Sequence, residues 1–344
     1  MATSFDITPE KRATALSFLK RQFFRKTPAV TKAEVDLTGQ TAIVTGSNVG
    51  LGFECSRQLL ELGVSKLILA VRNTAKGEAA MEKLVTLLSI KSQTLEVWQL
   101  DMSVYESITQ FAERVKTLDR LDIFVHNAGI SNQKLHLNPN TGYDEVIQTN
   151  YLSSVLLTVL LLPILKGKNS PTSPGRFTLV SSETAAWAAF KEKDKVPLLP
   201  EFKKTENHDA PDRYWTSKLL GLLFLSELAK RVPSSVAVVN AANPGMCYGS
   251  NLTGDWDGVG AVIFGILNRL IGRSAPLGAR ALVDGAVRHG PKSHCQYLED
   301  GKLQPMPPLV YSVEGEKIAS QLWEETMSEL AFANVAETIK SLST

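Results

Sequence analysis

Tyr214 and Lys218 are four residues apart in the segment YWTSK, and this spacing places both side chains on one face of a helix. A tyrosine with a pKa of about 10 is a poor acid or base at neutral pH unless a cation stabilises its phenolate. Lys218 supplies that cation and can also donate a hydrogen bond to a ribose. Ser182 can hold a substrate oxygen while Tyr214 exchanges its proton, and Asn150 can hold water or backbone in a proton relay. Together these residues predict a site for proton transfer.

A glycine-rich turn lies early in the chain. The β-branched, apolar run Thr41–Thr45 predicts a buried strand, and an amphipathic helix follows the turn. Glycines let the chain turn sharply, let a pyrophosphate approach the backbone, and let the helix pack closely on the strand. The start of the helix offers free N–H groups and a positive dipole end to phosphates. Strand, turn and helix in this order predict a dinucleotide site rather than a structural turn. Its expected contacts are Gly46, Ser47, Asn48, Gly50, Leu51 and Gly52.

Residues after the next strands extend this site, because open α/β sheets bind ligands at the carboxyl ends of their strands. The second strand ends in AVRN, and an acid at this position selects a free ribose 2′-hydroxyl whereas a cation selects a 2′-phosphate. Arg72 therefore favours NADP(H) over NAD(H), the alternative being an ordinary surface arginine. The other expected contacts are Asp101 and Met102 after the third strand, and Asn127, Ala128 and Gly129 after the fourth.

These motifs resemble those of the short-chain dehydrogenase/reductase superfamily. The match consists of TGxxxGxG from Thr45, the NAG triplet from Asn127, the helix asparagine, the serine, YxxxK, and a PG turn at Pro244 and Gly245. It extends over nearly the whole chain, from Leu37 to Leu330. The AVRN arginine, the long segment between the serine and the tyrosine, and the sequence GEKIASQLWEETMSEL are most similar to the retinol-dehydrogenase-like branch and to reductases of fungal natural-product pathways.

The resemblance implies a catalytic tetrad of Asn150, Ser182, Tyr214 and Lys218. Tyr214 would donate the proton in reduction, and Lys218 would lower its pKa and bind the nicotinamide ribose. Ser182 would polarise the carbonyl, and Asn150 would anchor the water of the proton relay. The loop containing Pro244, Gly245, Met246 and Ser250 would contact the nicotinamide amide and the phosphates.

His126 departs from the family pattern, because a second asparagine usually stands at this position. We expect the histidine to alter strand packing more than chemistry.

Strands and helices alternate along the chain, which predicts βαβ units and an α/β fold with helices on both faces of a parallel sheet. The resemblance implies a doubly wound Rossmann sheet of seven parallel strands. We expect an N-terminal helical extension over residues 1–36, a single Rossmann domain over 37–330 and a C-terminal tail over 331–344. Within the domain, 190–212 is predicted to be an insert loop at the surface or at a functional rim. The lid segment, 250–273, contains an apolar helix that we expect to cover the substrate, the alternative being a helix that only packs on a partner.

The N-terminal segment Pro9–Phe24 predicts a basic amphipathic helix with Ala13, Leu16, Leu19 and Phe23 on its apolar stripe. Such a helix can lie on a membrane surface. Docking of the apolar stripe on the domain itself is the favoured alternative.

Charge and cysteine content narrow the possible partners and compartments. The chain carries 37 Lys and Arg against 35 Asp and Glu, a net charge of +2, so nothing suggests a nucleic-acid partner. Cys55, Cys247 and Cys295 are odd in number and scattered, which argues for reduced thiols in the cytoplasm rather than disulfides. The longest apolar runs fall short of the roughly 18 residues needed to span a bilayer. His289 and His294 with Cys295 lack a fourth ligand, so we expect no metal site.

We therefore expect an NADP(H)-dependent oxidoreductase, either a ketone or aldehyde reductase or an alcohol dehydrogenase. Its substrate would be a hydrophobic small molecule, as in secondary metabolism. Two alternatives stay open: a non-redox dehydratase, cyclase or isomerase on the same scaffold, and a cofactor-binding module without turnover. The chain could be a monomer or a homodimer.

Overall fold

A mostly parallel β-sheet forms the centre of the computed structural model, which describes residues 5–90, 94–206, 208–250, 252–253 and 256–343. Residues 1–4 of the expected extension, 251, 254 and 255 of the lid segment, and 344 of the expected tail lie outside the described residues. Eight strands pair in the order β10-β9-β6-β5-β4-β1-β2-β3. They are β1 (Thr41–Thr45), β2 (Lys66–Val71), β3 (Leu95–Gln99), β4 (Ile123–His126), β5 (Arg176–Val180), β6 (Val238–Asn243), β9 (Gln296–Glu299) and β10 (Lys302–Gln304). A separate parallel pair consists of β7 (Cys247–Tyr248) and β8 (Arg273–Ser274).

Seven of these strands are parallel, as predicted, and their order is that of a doubly wound dinucleotide-binding sheet. The eighth strand, β10, was not predicted and pairs antiparallel with β9 at the sheet edge. Asp300 and Gly301 connect the two strands with φ angles of +52° and +77°. An Asp-Gly pair between strands is a strong hairpin signal, so the sequence does contain the information for this strand.

Twelve α-helices occur among the described residues, and several of them cover the two faces of the sheet. They are α1 (Pro9–Arg12), α2 (Ala15–Phe24), α3 (Gly50–Glu61), α4 (Thr74–Leu88), α5 (Tyr105–Lys116), α6 (Glu145–Ile147), α7 (Ser153–Lys168), α8 (Ala210–Leu228), α9 (Gly258–Ile271), α10 (Ala275–Val287), α11 (Val313–Glu329) and α12 (Val335–Leu342). Because side chains alternate along a strand, Ile43 faces one hydrophobic cluster while Ala42 and Val44 face the other. Helices α3, α4 and α10 enclose one cluster, and α5, α7 and α8 enclose the other.

The helical stretch Glu145–Lys168, which carries Asn150, is interrupted. Between α6 and α7, residues Gln148–Leu152 form a π-helical turn, in which the Ser153 N–H donates to the Gln148 carbonyl five residues back. π-Turns are rare and often mark functional sites. The continuous helical stretch Glu145–Lys168 is 24 residues long and apolar enough to cross a membrane by length and composition, but 89% of its most apolar window is buried inside the domain. Its apolar surface is therefore that of a core helix.

Two expected peripheral segments are anchored in the core. Most of the insert 190–212, which was predicted to be a surface loop or rim, is exposed, but Phe190, Leu198 and Phe202 are fully buried. Glu325 of α11 accepts hydrogen bonds from the backbone N–H groups of Leu198 and Leu199, which holds the insert against that helix. The tail beyond residue 330 forms α12, whose buried side chains Val335, Ile339 and Leu342 pack in the same cluster as α7.

The N-terminal extension docks on the domain, but through the opposite face from the one expected. Leu16, Leu19 and Phe23 of the predicted stripe are exposed, whereas Arg12 and Gln22 are buried. The reason is that the domain presents buried carboxylates and backbone polar groups here, which only polar side chains can satisfy.

Candidate active site

The glycine turn between β1 and α3 lets other atoms come close to its backbone. Gly46 and Gly50 have φ angles of +63° and +61°, a region that side chains other than glycine rarely adopt. A Cβ on Gly52 would lie 2.4 Å from the Gly46 carbonyl oxygen, so this position has room for glycine alone. Val49, at the N-cap of α3, provides no capping side chain, which leaves backbone N–H groups at the helix start available to phosphates.

The other predicted residues of the turn lie beside it. Ser47 is fully buried, and its hydroxyl has no hydrogen-bond partner among the described residues, as expected where a polar ligand group is to bind. Asn48 and Leu51 are half-buried at the start of α3. A Cβ on Gly50 would lie 2.8 Å from the Ser250 Cα, so Ser250 of the lid segment lies against the turn.

Asn127 and Ala128 connect the end of β4 to this turn. The Asn127 side-chain amide donates to the carbonyl oxygens of Thr45 (3.0 Å) and Gly46 (3.1 Å). The Thr45 hydroxyl in turn accepts from the backbone N–H groups of Asn127 (3.0 Å) and Ala128 (2.9 Å). The Asn127 side chain therefore fixes the shape of the turn.

The residues after β2 and β3 differ in their contacts. Arg72 is exposed and forms no ion pair within the described part of the chain. Asp101 accepts hydrogen bonds from the Ser103 N–H (2.9 Å) and hydroxyl (2.7 Å), which closes a turn. Met102 is buried in the core. Arg72 thus has its guanidinium free for a ligand, whereas the Asp101 carboxylate already has partners.

Asn150 and Lys218 meet at Gly129, the residue that follows the Asn-Ala pair. A Cβ on Gly129 would lie 3.1 Å from Asn150 Oδ1 and 3.5 Å from Lys218 Nζ. Asn150, in the π-turn, accepts from the Ile130 N–H (2.9 Å) and donates to the Ile130 carbonyl (2.8 Å). Lys218 Nζ donates to the Val180 carbonyl at the end of β5 (3.0 Å). The two side chains therefore lie between the carboxyl ends of β4 and β5.

Tyr214 and Ser182 form the adjoining pair. Burial raises the pKa of Tyr214 to about 12, and hydrogen bonding with Ser182 acts in the opposite direction. Lys218 Nζ lies 5.7 Å from the centre of the Tyr214 ring, and burial lowers the pKa of Lys218 to about 8. In the protein alone, desolvation of the phenol outweighs the hydrogen bond with Ser182, so the pKa of Tyr214 lies above its usual value. That Lys218 lowers this pKa stays a prediction.

A small cavity lies behind these residues. Its volume is about 30 Å³, and its lining includes Asn150, Ser181, Lys218 and His126. The Ser181 hydroxyl is buried without a hydrogen-bond partner among the described residues, so the cavity is polar and large enough for about one water molecule. His126 lies within hydrogen-bond distance of the Thr45 and Ser154 hydroxyls, and burial lowers its pKa to about 3. His126 is therefore neutral and packs between strand and helix.

Comparison with known proteins agrees with this geometry. Residues 40–190 match the family model described as short chain dehydrogenase. The chain is 48% identical to the short-chain dehydrogenase fogG of Aspergillus ruber, over 100% of both chains. This chain belongs to the short-chain dehydrogenase family. It is also 41% identical to the short chain dehydrogenase/reductase mfmJ of Annulohypoxylon moriforme, over 99% of both chains.

The fold also matches a solved structure. A 3-oxoacyl-(acyl-carrier-protein) reductase from Agrobacterium tumefaciens, solved with NADP bound, superposes with a TM-score of 0.58 at 19% identity, over 79% of this chain and 97% of that one. The family and the fold together make this chain an oxidoreductase.

In this short-chain dehydrogenase the loop after β6 is held from the N-terminal extension. Gln22 Nε2 donates to the Met246 carbonyl (2.7 Å), and Gln22 Oε1 accepts from the Met246 N–H (3.2 Å). Arg273 NH1 donates to the Pro244 carbonyl (3.3 Å). A Cβ on Gly245, whose φ is +76°, would lie 2.9 Å from Gln22 Oε1. Sequence motifs gave no indication of Gln22, because its partners are backbone atoms 224 residues away.

A buried ionic cluster lies directly beside the candidate serine. Glu183 follows Ser182 and pairs with Arg21 (2.9 Å), while Glu299 of β9 pairs with Arg12 (2.8 Å) and Arg21 (3.1 Å). Burial, and then repulsion by Glu299, raise the pKa of Glu183. Burial also acts to raise the pKa of Glu299, but Arg12 and Arg21 hold it below its usual value. The extension thus supplies the cations for two buried carboxylates.

Aromatic side chains extend from the candidate tyrosine toward the extension. Trp215 follows Tyr214 and packs edge-on against Trp187, with ring centres 6.0 Å apart. Trp187 contacts Phe18 of α2 (5.2 Å) and donates to the Ala13 carbonyl (2.8 Å). A chain of aromatic contacts therefore connects the residue after Tyr214 to α2.

The lid segment contacts the loop after β4. The Ser131 N–H donates to the Leu252 carbonyl (3.1 Å), and the Trp256 indole donates to the Ser131 carbonyl (2.8 Å). Trp256 also packs on Phe264 of α9, with ring centres 5.0 Å apart. These contacts place Trp256 next to the strand end that carries Gly129.

Proposed function

We propose that this short-chain dehydrogenase is an NADP(H)-dependent oxidoreductase that moves a hydride between nicotinamide C4 and a carbonyl or secondary alcohol of a hydrophobic small molecule. The observation that carries the proposal is the convergence of Asn150, Ser182, Tyr214 and Lys218 between the ends of β4 and β5, next to the glycine turn. We propose reduction in the cytoplasm as the cellular direction, because NADP pools there are kept reduced.

The described residues fit the cofactor. The glycine turn offers backbone N–H groups at the start of α3 and a cradle that a Cβ would fill, which suits a pyrophosphate. Arg72, exposed and without an ion pair in the described part of the chain, can take a ribose 2′-phosphate in its planar fork. Ser250 and Met246 lie where the loop after β6 adjoins the turn and can contact the phosphates and the nicotinamide amide.

Tyr214 is the proposed proton donor. When bound, the cofactor supplies a hydride to the carbonyl carbon. Tyr214, protonated at neutral pH because its pKa is about 12, gives its proton to the carbonyl oxygen as the alcohol forms. Ser182 donates a hydrogen bond to the same oxygen. The Lys218 ammonium stabilises the phenolate that remains, and a water in the cavity lined by Asn150 and Lys218 can return a proton.

A hydrophobic substrate is supported by the groups around the site. Trp187 and Trp215 lie beside Ser182 and Tyr214, and Trp256 with Phe264 lies in the lid segment. Large aromatic side chains around a site favour polycyclic or long-chain molecules. The sequence resemblance to reductases of fungal natural-product pathways favours a substrate from secondary metabolism.

The test is replacement of Tyr214 by Phe, with Tyr311→Phe as the matched control. Tyr311 is half-exposed and bonds backbone only. Carbonyl-dependent NADPH oxidation, measured over a panel of hydrophobic ketones and aldehydes, should fall by about 10²–10⁴-fold in Tyr214→Phe alone. NADPH binding, followed by tryptophan fluorescence, should be retained.

Two results would contradict the proposal. Product formation without net NADPH oxidation would indicate a dehydratase, cyclase or isomerase. Unchanged biological output in Tyr214→Phe would indicate a cofactor-binding module.

A further inference from the structure

Two helices expose apolar side chains to the surroundings. In α2 and α9 these side chains are between 39% and 83% exposed. We call this set the outer apolar surface. It consists of Leu16, Leu19, Phe23 and Phe24 of α2 and Val262, Ile263, Ile266, Leu267 and Leu270 of α9.

The opposite faces of the same helices are already occupied. In α2, Gln22 is buried against the loop after β6, and Phe18 packs on Trp187. In α9, Phe264 packs on Trp256, and the Asn268 amide donates to the Cys247 carbonyl (3.1 Å). Since Phe264 and Asn268 lie one turn apart, they define the inward face of α9. The outer apolar surface is therefore not the substrate-facing side of the lid segment.

The two helices adjoin at their C-terminal ends. Gln22 Nε2 donates to the carbonyl of Ile271, which is the last residue of α9, at 2.9 Å. Arg273 NH2 donates to the carbonyls of Arg21 (2.9 Å) and Arg25 (3.1 Å). Phe23 and Phe24 thus come next to the end of α9 that carries Leu270.

Within each of the two helices the charged side chains are basic. The sequence contains no Asp or Glu from Lys11 to Ala33, nor from Gly258 to Val283. Exposed basic side chains flank the apolar ones, namely Lys20, Arg25, Lys26 and Arg269. Apolar side chains with basic flanks and no acids are the composition that binds at the interface of an anionic bilayer.

We propose that the outer apolar surface binds the surface of an anionic lipid bilayer, with both helices lying in the interface. The apolar side chains enter the boundary between headgroups and acyl chains, and the basic residues attract the anionic headgroups. A second copy of the chain fits less well. A two-fold interface would put the same acid-free, basic surface against itself, so that like charges face one another without counter-charges. The proposal concerns the free protein and does not rest on the proposed reaction.

The experiment is sedimentation of the full chain with vesicles, in the absence of substrate and cofactor. Vesicles of phosphatidylcholine with phosphatidylserine are compared with vesicles of phosphatidylcholine alone, at low and high salt. We expect binding to the anionic vesicles that weakens at high salt, since screening shortens the reach of the basic residues. The double variant Phe23→Ser/Phe24→Ser should weaken binding by about tenfold or more. Each reversal Lys20→Glu or Lys26→Glu should weaken it about fivefold.

Matched controls use exposed residues elsewhere. Leu87→Ser and Val313→Ser remove exposed apolar side chains, and Lys166→Glu and Lys292→Glu reverse exposed charges. These four variants should bind like the wild type, and all variants should keep the wild-type melting temperature because the altered side chains are exposed.

Three results would overturn the proposal. One is absence of wild-type binding to anionic vesicles. Another is equal loss of binding in the controls and the surface variants. The last is a wild-type dimer in sedimentation velocity that Phe23→Ser/Phe24→Ser dissociates while no vesicle binding occurs, since the surface would then be a subunit interface.

Discussion

The proposed nucleotide side of the site, around the turn after β1, and its proposed substrate side, around Ser182, are held in place differently. On the nucleotide side, the turn after β1 is shaped by glycines and by Asn127, whose amide bonds neighbouring backbone at Thr45 and Gly46. On the substrate side, the loop after β6 and the residue after Ser182 are held by buried side chains of the N-terminal extension, such as Arg21 and Gln22. One side thus depends on close backbone packing within a motif, and the other on ion pairs and hydrogen bonds from a segment that no motif includes.

Breaking the buried pair of Arg12 and Glu299 should have the largest effect. Arg12→Met leaves Glu299 with one of its two arginines, and removing one partner of a buried pair costs about 3–5 kcal/mol of the free energy of unfolding. Urea unfolding followed by fluorescence measures this loss. The control Lys116→Met removes an exposed pair with Glu113 and should cost less than about 1 kcal/mol. Equal losses in both variants would show that the extension does not stabilise the substrate side through its charges.

Gly52→Ala tests the nucleotide side. Its Cβ would lie 2.4 Å from the Gly46 carbonyl oxygen and 2.6 Å from the Asn127 amide, so the turn must shift. Overpacking of this kind costs about 1–3 kcal/mol, and we expect NADPH affinity in a fluorescence titration to fall more than stability does. Gly167→Ala, at a helical glycine with open space around it, is the control. Unchanged NADPH affinity in Gly52→Ala would contradict the close-packing account of this side.

Arg72→Ser should change cofactor choice without affecting the substrate side. Loss of an exposed charged partner for a 2′-phosphate should raise the KM for NADPH by about tenfold and leave the KM for NADH unchanged. The control is Arg57→Ser, since Arg57 pairs with Glu54 on α3 and lies outside the expected 2′-phosphate site. A parallel rise of KM for both cofactors would show that Arg72 acts on the fold rather than on the phosphate.

Lys218 lies between the two sides and should set the pH dependence of kcat. Burial lowers its pKa to about 8, so the ammonium that stabilises the Tyr214 phenolate is present below this pH and lost above it. In reduction, kcat should fall as pH rises through about 8, by up to about tenfold per unit. Lys218→Arg should shift the fall to higher pH, because arginine stays charged. A flat profile up to pH 9 in the wild type would contradict this role.

The sequence predicted the strands β1 and β2 and the turn between β1 and α3 for a physical reason. Strands such as Thr41–Thr45 and Lys66–Val71 are short apolar runs whose bounds follow from local composition, and the glycine turn is a local constraint. The predictions that were wrong depend on partners far along the chain. The apolar stripe of the N-terminal helix was expected to pack on the domain. Arg12 packs there instead, because it pairs with Glu299, which lies 287 residues further along the chain.

For Tyr214, too, the sequence showed a local feature but not an effect of the whole fold. Its spacing from Lys218 was visible in the sequence, but the direction of its pKa shift was not. Desolvation depends on how completely the fold covers the phenol, which spacing does not reveal. The Asp300-Gly301 hairpin is different, because its signal was present in the sequence.

The cluster around Glu183 and Glu299 limits how far the polypeptide can be trimmed for laboratory production. A version beginning at Leu37 would retain every recognisable family signature, yet it would lack Arg12, Arg21 and Gln22. Glu183 and Glu299 would then lose the two arginines that pair with them. Expression tags and shortened gene designs should therefore leave the first two dozen codons intact.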